Sequence, residues 1–243
     1  MSRPSSIKLV ADALDACPSY RQGEMLRWML SMAFQVMGMR EWEPIPDDAK
    51  PKVRLALHAY ETAVAQEEPF SDLLGSIYME LVSRWGKSSL GQFFTPQPVA
   101  QMMARMTVSG SSLPEGRLIH ACDPAVGSGV MMLSLLQIVL DEYGLDGLKR
   151  WSVTGIDIDP VCARMFALQV VANCSIHQVQ VGEVIAYHGN GLARSESLNV
   201  VLHATCPDVK DVPPALHPVR LEAIKEAAQQ KQLQQLSLFD MTV

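Results

Sequence analysis

Several things are scarce in this chain, and each scarcity excludes a class. No run of residues approaches the ~20 consecutive apolar side chains of a membrane span. The opening Met1-Ser2-Arg3-Pro4 offers no signal-peptide core. A cytoplasmic protein with no membrane partner is expected. Cysteine is sparse: five residues, at 17, 122, 162, 174 and 206, with no CxxC spacing and one left over. That pattern fits reduced, mostly buried thiols rather than a disulfide framework or a zinc site. Aromatic residues make up only 6% of the chain against 14 methionines, so the core should be aliphatic and thioether-rich. Basic charge is in deficit. The net charge is −6 and the pI about 5.5, which argues against a surface coated for nucleic acid.

What is present centres on Arg117-Leu118-Ile119-His120-Ala121-Cys122-Asp123-Pro124-Ala125-Val126-Gly127-Ser128-Gly129. It reads as a short strand that stops at an acid and a proline, bends through two glycines and opens a helix from Val130 to about Tyr143. The glycines admit a ligand close to the backbone, and the helix start offers unbonded N–H groups. About 30 residues on, Trp151-Ser152-Val153-Thr154-Gly155-Ile156-Asp157-Ile158-Asp159-Pro160 reads as a second strand ending in an acid. An acid there accepts hydrogen bonds from ribose hydroxyls. Val130, Met131 and Met132 stand where a dinucleotide fingerprint needs its third glycine. A nucleoside without pyrophosphate is therefore favoured, and S-adenosylmethionine is the common one.

Around this centre the chain is organised in three parts: a helical subdomain over 1–90, an α/β domain over 91–215, and a polar helix with a tail over 216–243. Ala11–Ala16, Glu24–Met39, Val53–Ala65 and Leu73–Trp85 carry apolar residues at helical spacing, separated by proline-containing breaks. Ser71 or Asp72 is placed to cap the fourth. Residues 1–90 hold ten Lys and Arg against twelve Asp and Glu, so this block is no DNA clamp by charge. A loop from Gly86 to Pro96 leads into a helix over Pro98–Met106, with Thr95 as its expected cap. Beyond Pro160, Val161, Met165, Leu168 and Val171 mark a helix lying on the sheet. Val184–His188 and Leu198–Leu202 read as two further strands of an open parallel sheet. Gly189-Asn190-Gly191 between them faces the same pocket, where Asn190 is either an adenine contact or an ordinary turn residue. Arg220 to about Gln235 reads as a polar helix.

Three separated segments then form a set: Gly91-Gln92-Phe93-Phe94-Thr95-Pro96 followed by Val99, Asp123-Pro124-Ala125-Val126-Gly127-Ser128-Gly129, and Gly155-Ile156-Asp157-Ile158-Asp159-Pro160. In this order and at these distances they resemble the DNA adenine-N6 methyltransferases, most closely the modification subunit of type I restriction systems. The likeness covers roughly residues 70 to 205. It implies a Rossmann-like class I S-adenosylmethionine-dependent methyltransferase fold with an N-terminal helical subdomain. It also implies that Phe94, Thr95 and Pro96 line the methionine end of the cofactor. Asp123, Ala125 and Gly127 would surround its amino and carboxyl groups, Asp157 the ribose, Ile158 the adenine ring and Asn190 the adenine amino group.

One part of the pattern is missing. An exocyclic amine is a weak nucleophile because its lone pair is delocalised into the ring. The family meets this with Asn or Asp, two prolines and an aromatic after the fourth strand. These accept the amine hydrogens and stack on the flipped base. Aligning Asn199–His203 with that strand puts Ala204, Thr205, Cys206 and Pro207 at the catalytic position, without acceptor, first proline or aromatic. His203 or Asp208 is the only nearby substitute. The expectation is a methyltransferase-like protein that has lost base activation; the alternative is an active enzyme working with a partner subunit that also supplies DNA contacts.

The tail resembles something else. Gln235-Leu236-Ser237-Leu238-Phe239 matches the pentapeptide with which bacterial polymerases and repair proteins dock on the replication sliding clamp. Burying each of its large apolar side chains is worth ~1.5–3 kcal/mol before ordering and association costs, which leaves roughly micromolar binding. Purified clamp should therefore retain the wild-type chain and lose the Leu238→Ala/Phe239→Ala double variant in a pull-down. Equal retention of both would remove the clamp as a partner.

Overall fold

The computed structural model describes residues 5–84, 94–108, 118–192 and 197–207. All lie in one compact unit, Met1–Val209. The tail pentapeptide, the helix expected over Arg220–Gln235, Asp208 and the Gly91-Gln92-Phe93 part of the aromatic loop fall outside the described residues.

Four helices come first: α1 (Ser5–Asp15), α2 (Gln22–Val36), α3 (Lys50–Gln66) and α4 (Leu73–Arg84). The last three form where the apolar spacing places them to within three residues, while α1 begins six residues before the expected Ala11. Asp72 caps α4, its Oδ1 accepting from the Gly75 N–H at 2.9 Å. Then follow α5 (Gln97–Val108), β1 (Ile119–Asp123), α6 (Val130–Leu148), β2 (Trp151–Asp157), α7 (Pro160–Ile176), β3 (Glu183–His188) and β4 (Asn199–Thr205). The first turn of α5 hangs on the Pro96 carbonyl, which accepts from Val99 and Ala100, so the cap falls one residue after the expected Thr95. Gly144 breaks α6 with φ 66°, just past the Tyr143 expected to end it. Asp159 caps α7 through the Val161 N–H at 2.8 Å, with Pro160 in the first turn.

The strands form one sheet in the order β1-β2-β3-β4. β1 pairs with β2 and β2 with β3, both parallel, joined by the crossover helices α6 and α7. All seven residues of β2 are buried, as a central parallel strand requires. Helix α7 is buried nearly all round because β2 and β3 cover one side and α2, α3 and α4 the other. The helical block thus shares its apolar core with the sheet: Met25, Met29, Tyr60, Phe70, Leu133, Leu136 and Phe166 belong to one continuous cluster.

The last strand departs from the expected open parallel sheet. β4 runs antiparallel to β3, with Asn199 opposite His188 and Thr205 opposite Glu183. The reason is length. Only residues 189–198 connect the two strands, too few for the dozen or more that a parallel crossover takes, so the chain returns as a hairpin. A buried carboxylate locks this arrangement: Glu183 accepts from Ser152 Oγ on β2 at 2.6 Å and meets His203 Nε2 on β4 at 3.0 Å. Among the described residues no strand borders the other edge, beside β1, where His120 and Cys122 are exposed. Also among the described residues, no helix is long and apolar enough to cross a membrane.

Helix α7 docks on the site-bearing strands through Phe166, which is fully buried. A Cβ at Gly155 would lie 2.5 Å from its ring, and one at Gly129 2.7 Å, so the ring occupies space that only glycines leave. Phe166→Ala should cost about 3–5 kcal/mol in chemical denaturation, the large end of core truncations, because neighbouring backbone cannot collapse into the gap.

Candidate functional site

The C-terminal ends of three parallel strands converge at Asp123, Asp157 and His188, the end where open α/β sheets hold ligands. The loop after β1 is an ordered turn. Asp123 Oδ1 accepts from the Ala125 N–H at 3.0 Å, and the Val126 N–H donates to the Ile156 carbonyl at 2.9 Å. Gly127 at φ 56° and Gly129 at φ 101° take left-handed conformations that a side chain would strain. Gly129 then starts α6 with its unbonded N–H groups at the same end.

Asp157 ties the loops together. Its Oδ2 accepts from the Gly127 N–H and its Oδ1 from the Asp159 N–H, both at 2.8 Å. Its carbonyl accepts from the Gly189 N–H at 2.8 Å. Burial pushes its carboxyl above the usual range, while the Asp159 and Gly127 N–H groups pull the other way. The residue is only 8% exposed, so a ribose would reach the second lone pairs of oxygens that already hold backbone. Beside it, Ile158 is 69% exposed, a flat apolar surface at the strand tip.

Phe94 joins from the chain before α5. Its ring lies against Gly127, 3.0 Å from where a Cβ would sit, and stacks on Tyr78 with centroids 5.4 Å apart and planes at 15°. Thr95 is half-buried and Pro96 exposed at the start of α5. Tyr78 donates its hydroxyl to Asp159 Oδ2 at 3.1 Å; burial and that carboxylate push its phenol well up, so it remains a donor. The loop after β3 lies on the first turn, since a Cβ at Gly191 would meet the Pro124 carbonyl at 2.4 Å. Asn190 is exposed there, its Oδ1 accepting from the Leu192 N–H at 3.0 Å in a local turn.

Phe94, Gly127, Asp157, Ile158, Asp123, Ala125 and Asn190 are thus carried on loops at one end of the sheet. Ala204, Thr205, Cys206 and Pro207 are not, which corrects the alignment that put them at the catalytic position. Ala204 and Thr205 end the antiparallel strand β4, Cys206 and Pro207 follow it, and the Cys206 N–H donates to the Gly182 carbonyl before β3 begins, at the opposite end. His203, expected as a substitute acceptor, sits mid-strand opposite Ile185 and is engaged by Glu183. Sequence reasoning missed Tyr78, Phe166, Ser128 and Gln169, whose positions carry only the signature of a buried helix face or a turn.

The loops carry Asp123, Asp157 and Asp159 and no Lys or Arg over 94–96, 123–129, 157–160 and 189–192. Such a mouth suits a cationic ligand and repels a pyrophosphate. The fold and site therefore define an α/β domain with its loops gathered at the C-terminal ends of three parallel strands. Residues 70–205, more than half of the chain, match the model of the N-6 DNA methylase family, and the chain belongs to that family. A solved structure from Listeria monocytogenes, described as a class I S-adenosylmethionine-dependent methyltransferase, is similar at 12% identity and a TM-score of 0.43, covering 78% of this chain. This chain covers 55% of that one. No curated protein sequence matches.

The raised carboxyl of Asp157 gives stability a definite sign of pH dependence. A folded-state pKa above the unfolded value means stability held at low pH and lost as pH rises through the folded value. Wild type should therefore lose stability relative to Asp157→Asn as pH climbs above about 4, the unfolded carboxylate value. Denaturation curves for both proteins across pH 4 to 8, roughly the working range of such carboxylates, check it.

Proposed function

We propose that this chain binds S-adenosylmethionine at the C-terminal ends of β1, β2 and β3. In this reading it is a DNA adenine-N6 methyltransferase-like protein, related to the type I modification subunits, without amine-activating residues of its own. The tail recruits it to the replication sliding clamp, in the cytoplasm. The observation that carries the cofactor part is the joining of Gly127, Asp157 and Phe94 into one assembly under an all-acidic mouth.

The residues fit the group. Gly127 lets the Phe94 ring close directly on the turn, Asp123 and the neighbouring N–H groups suit the amino and carboxyl ends, and exposed Ile158 offers a face for adenine. Phe94, Thr95 and Pro96 close the methionine end. Bound there, the cofactor supplies an electrophilic methyl on a sulfonium. The chain's own part is to orient that methyl and exclude water from it. Support for lost base activation comes from chain direction, since β4 carries the residues after it away from the cofactor end.

The second reading, an active methyltransferase completed by a partner subunit, is favoured by one observation. β1, which bears the first loop, is the edge strand of the described sheet, so a partner strand can lie beside it.

Calorimetry should show S-adenosylmethionine binding by wild type. Asp157→Ala should weaken it roughly tenfold to a hundredfold, since two charge-assisted bonds to the loop are lost. No binding by wild type would end the cofactor reading. Labelled methyl reaching DNA adenine, with the chain alone or with a partner subunit, would replace the first reading with the second.

A further inference from the structure

We infer that Asp72 is a positioning residue for the cofactor turn, acting through Ser128, so that the helical block is part of the cofactor site. The inference rests on the S-adenosylmethionine reading above. Asp72 stands half-buried just before α4, with its carboxylate turned towards the glycine turn and α7. Oδ2 accepts from Ser128 Oγ at 2.7 Å, while Oδ1 accepts from Gln169 Nε2 at 2.8 Å as well as from the Gly75 N–H. Gln169, fully buried on α7, returns the tie: its Oε1 accepts from the Leu73 and Leu74 N–H groups at 2.9 and 3.0 Å, and its Nε2 donates to the Ser128 carbonyl at 2.9 Å.

Ser128 is the residue between the two left-handed glycines. Both its side chain and its carbonyl are held from the α4 and α7 side, while Gly127 is held by Asp157 from the β2 side. The turn is therefore pinned between two carboxylates, one from the sheet and one from the helical block. Capping alone does not ask for this, because an asparagine or serine caps equally well in half-exposed positions. Here one carboxylate holds three donors, two of them from outside its own helix, which fixes a geometry that a cap does not need. Two turns along, Tyr78 reaches Asp159 and stacks on Phe94, so α4 touches the second loop and the aromatic cover as well.

The test compares full-length wild type with Asp72→Asn, Ser128→Ala, the double variant, and Leu14→Ala, a truncation in the buried face of α1 remote in sequence from the site. Calorimetry with S-adenosylmethionine should show affinity falling about tenfold in each of the first two, the size of one charge-assisted hydrogen bond. The double variant should lose no more than the worse single, because one pair is broken. Leu14→Ala should lower thermal stability yet leave affinity within about twofold, as independent sites do. Hydrogen exchange should rise at the amides of Val126 to Val130 in Asp72→Asn while α1 to α3 stay protected. If Asp72→Asn does not fold, Ser128→Ala decides, since it leaves the α4 cap intact. Wild-type affinity in Asp72→Asn and Ser128→Ala, or an equal loss in Leu14→Ala, overturns the inference and spares the cofactor reading. No binding by wild type overturns both.

Discussion

The ligand end of this molecule depends on the carboxylate of Asp157. Each of its oxygens holds a backbone N–H, one from the glycine turn after β1 and one from its own loop, while its carbonyl holds the loop after β3. A charged acceptor binds N–H donors about twice as strongly as a neutral one. That strength matters because left-handed glycines have little conformational preference of their own. Without the carboxylate the Gly127 amide would lose its partner; with it, three loops from three strands share one reference point. In the proposed reading the same residue would also accept from a ribose, so organising the loops and contacting the ligand would fall on a single side chain.

Much of this was legible in the chain. Apolar periodicity located α2, α3, α4 and α7, the expected cap located α5 and the glycine turn α6, and the turn showed because Gly127 and Gly129 have few other reasons to flank a serine. Asp72 was readable as a cap, since capping is local. Its second task was not readable, because Ser128 and Gln169 lie 56 and 97 residues away and nothing in their neighbourhoods marks them. The direction of β4 was misread for a related reason. Asn199–Thr205 has the composition of a strand whichever way it runs, and only the short connection before it excludes a crossover. The alignment of Ala204–Pro207 with a catalytic segment inherited that error.

Asp123, Asp157 and Asp159 are the charged residues over 94–96, 123–129, 157–160 and 189–192, a balance that favours a cationic ligand over phosphate. At that end of the sheet the Asn190 side-chain oxygen accepts from the Leu192 N–H within its own turn.

The ties between the helical block and α7 also bear on how the chain is made. Phe70, at φ 65°, gives its N–H to Asn173, 103 residues later, and the first amides of α4 wait for Gln169. At about 5–20 residues per second of synthesis, roughly five to twenty seconds pass before those acceptors leave the ribosome. During that interval the apolar faces of α2, α3 and α4 have no α7 to cover them. Contacts this distant in sequence slow folding. The nascent N-terminal half therefore keeps apolar surface exposed until α7 has been made.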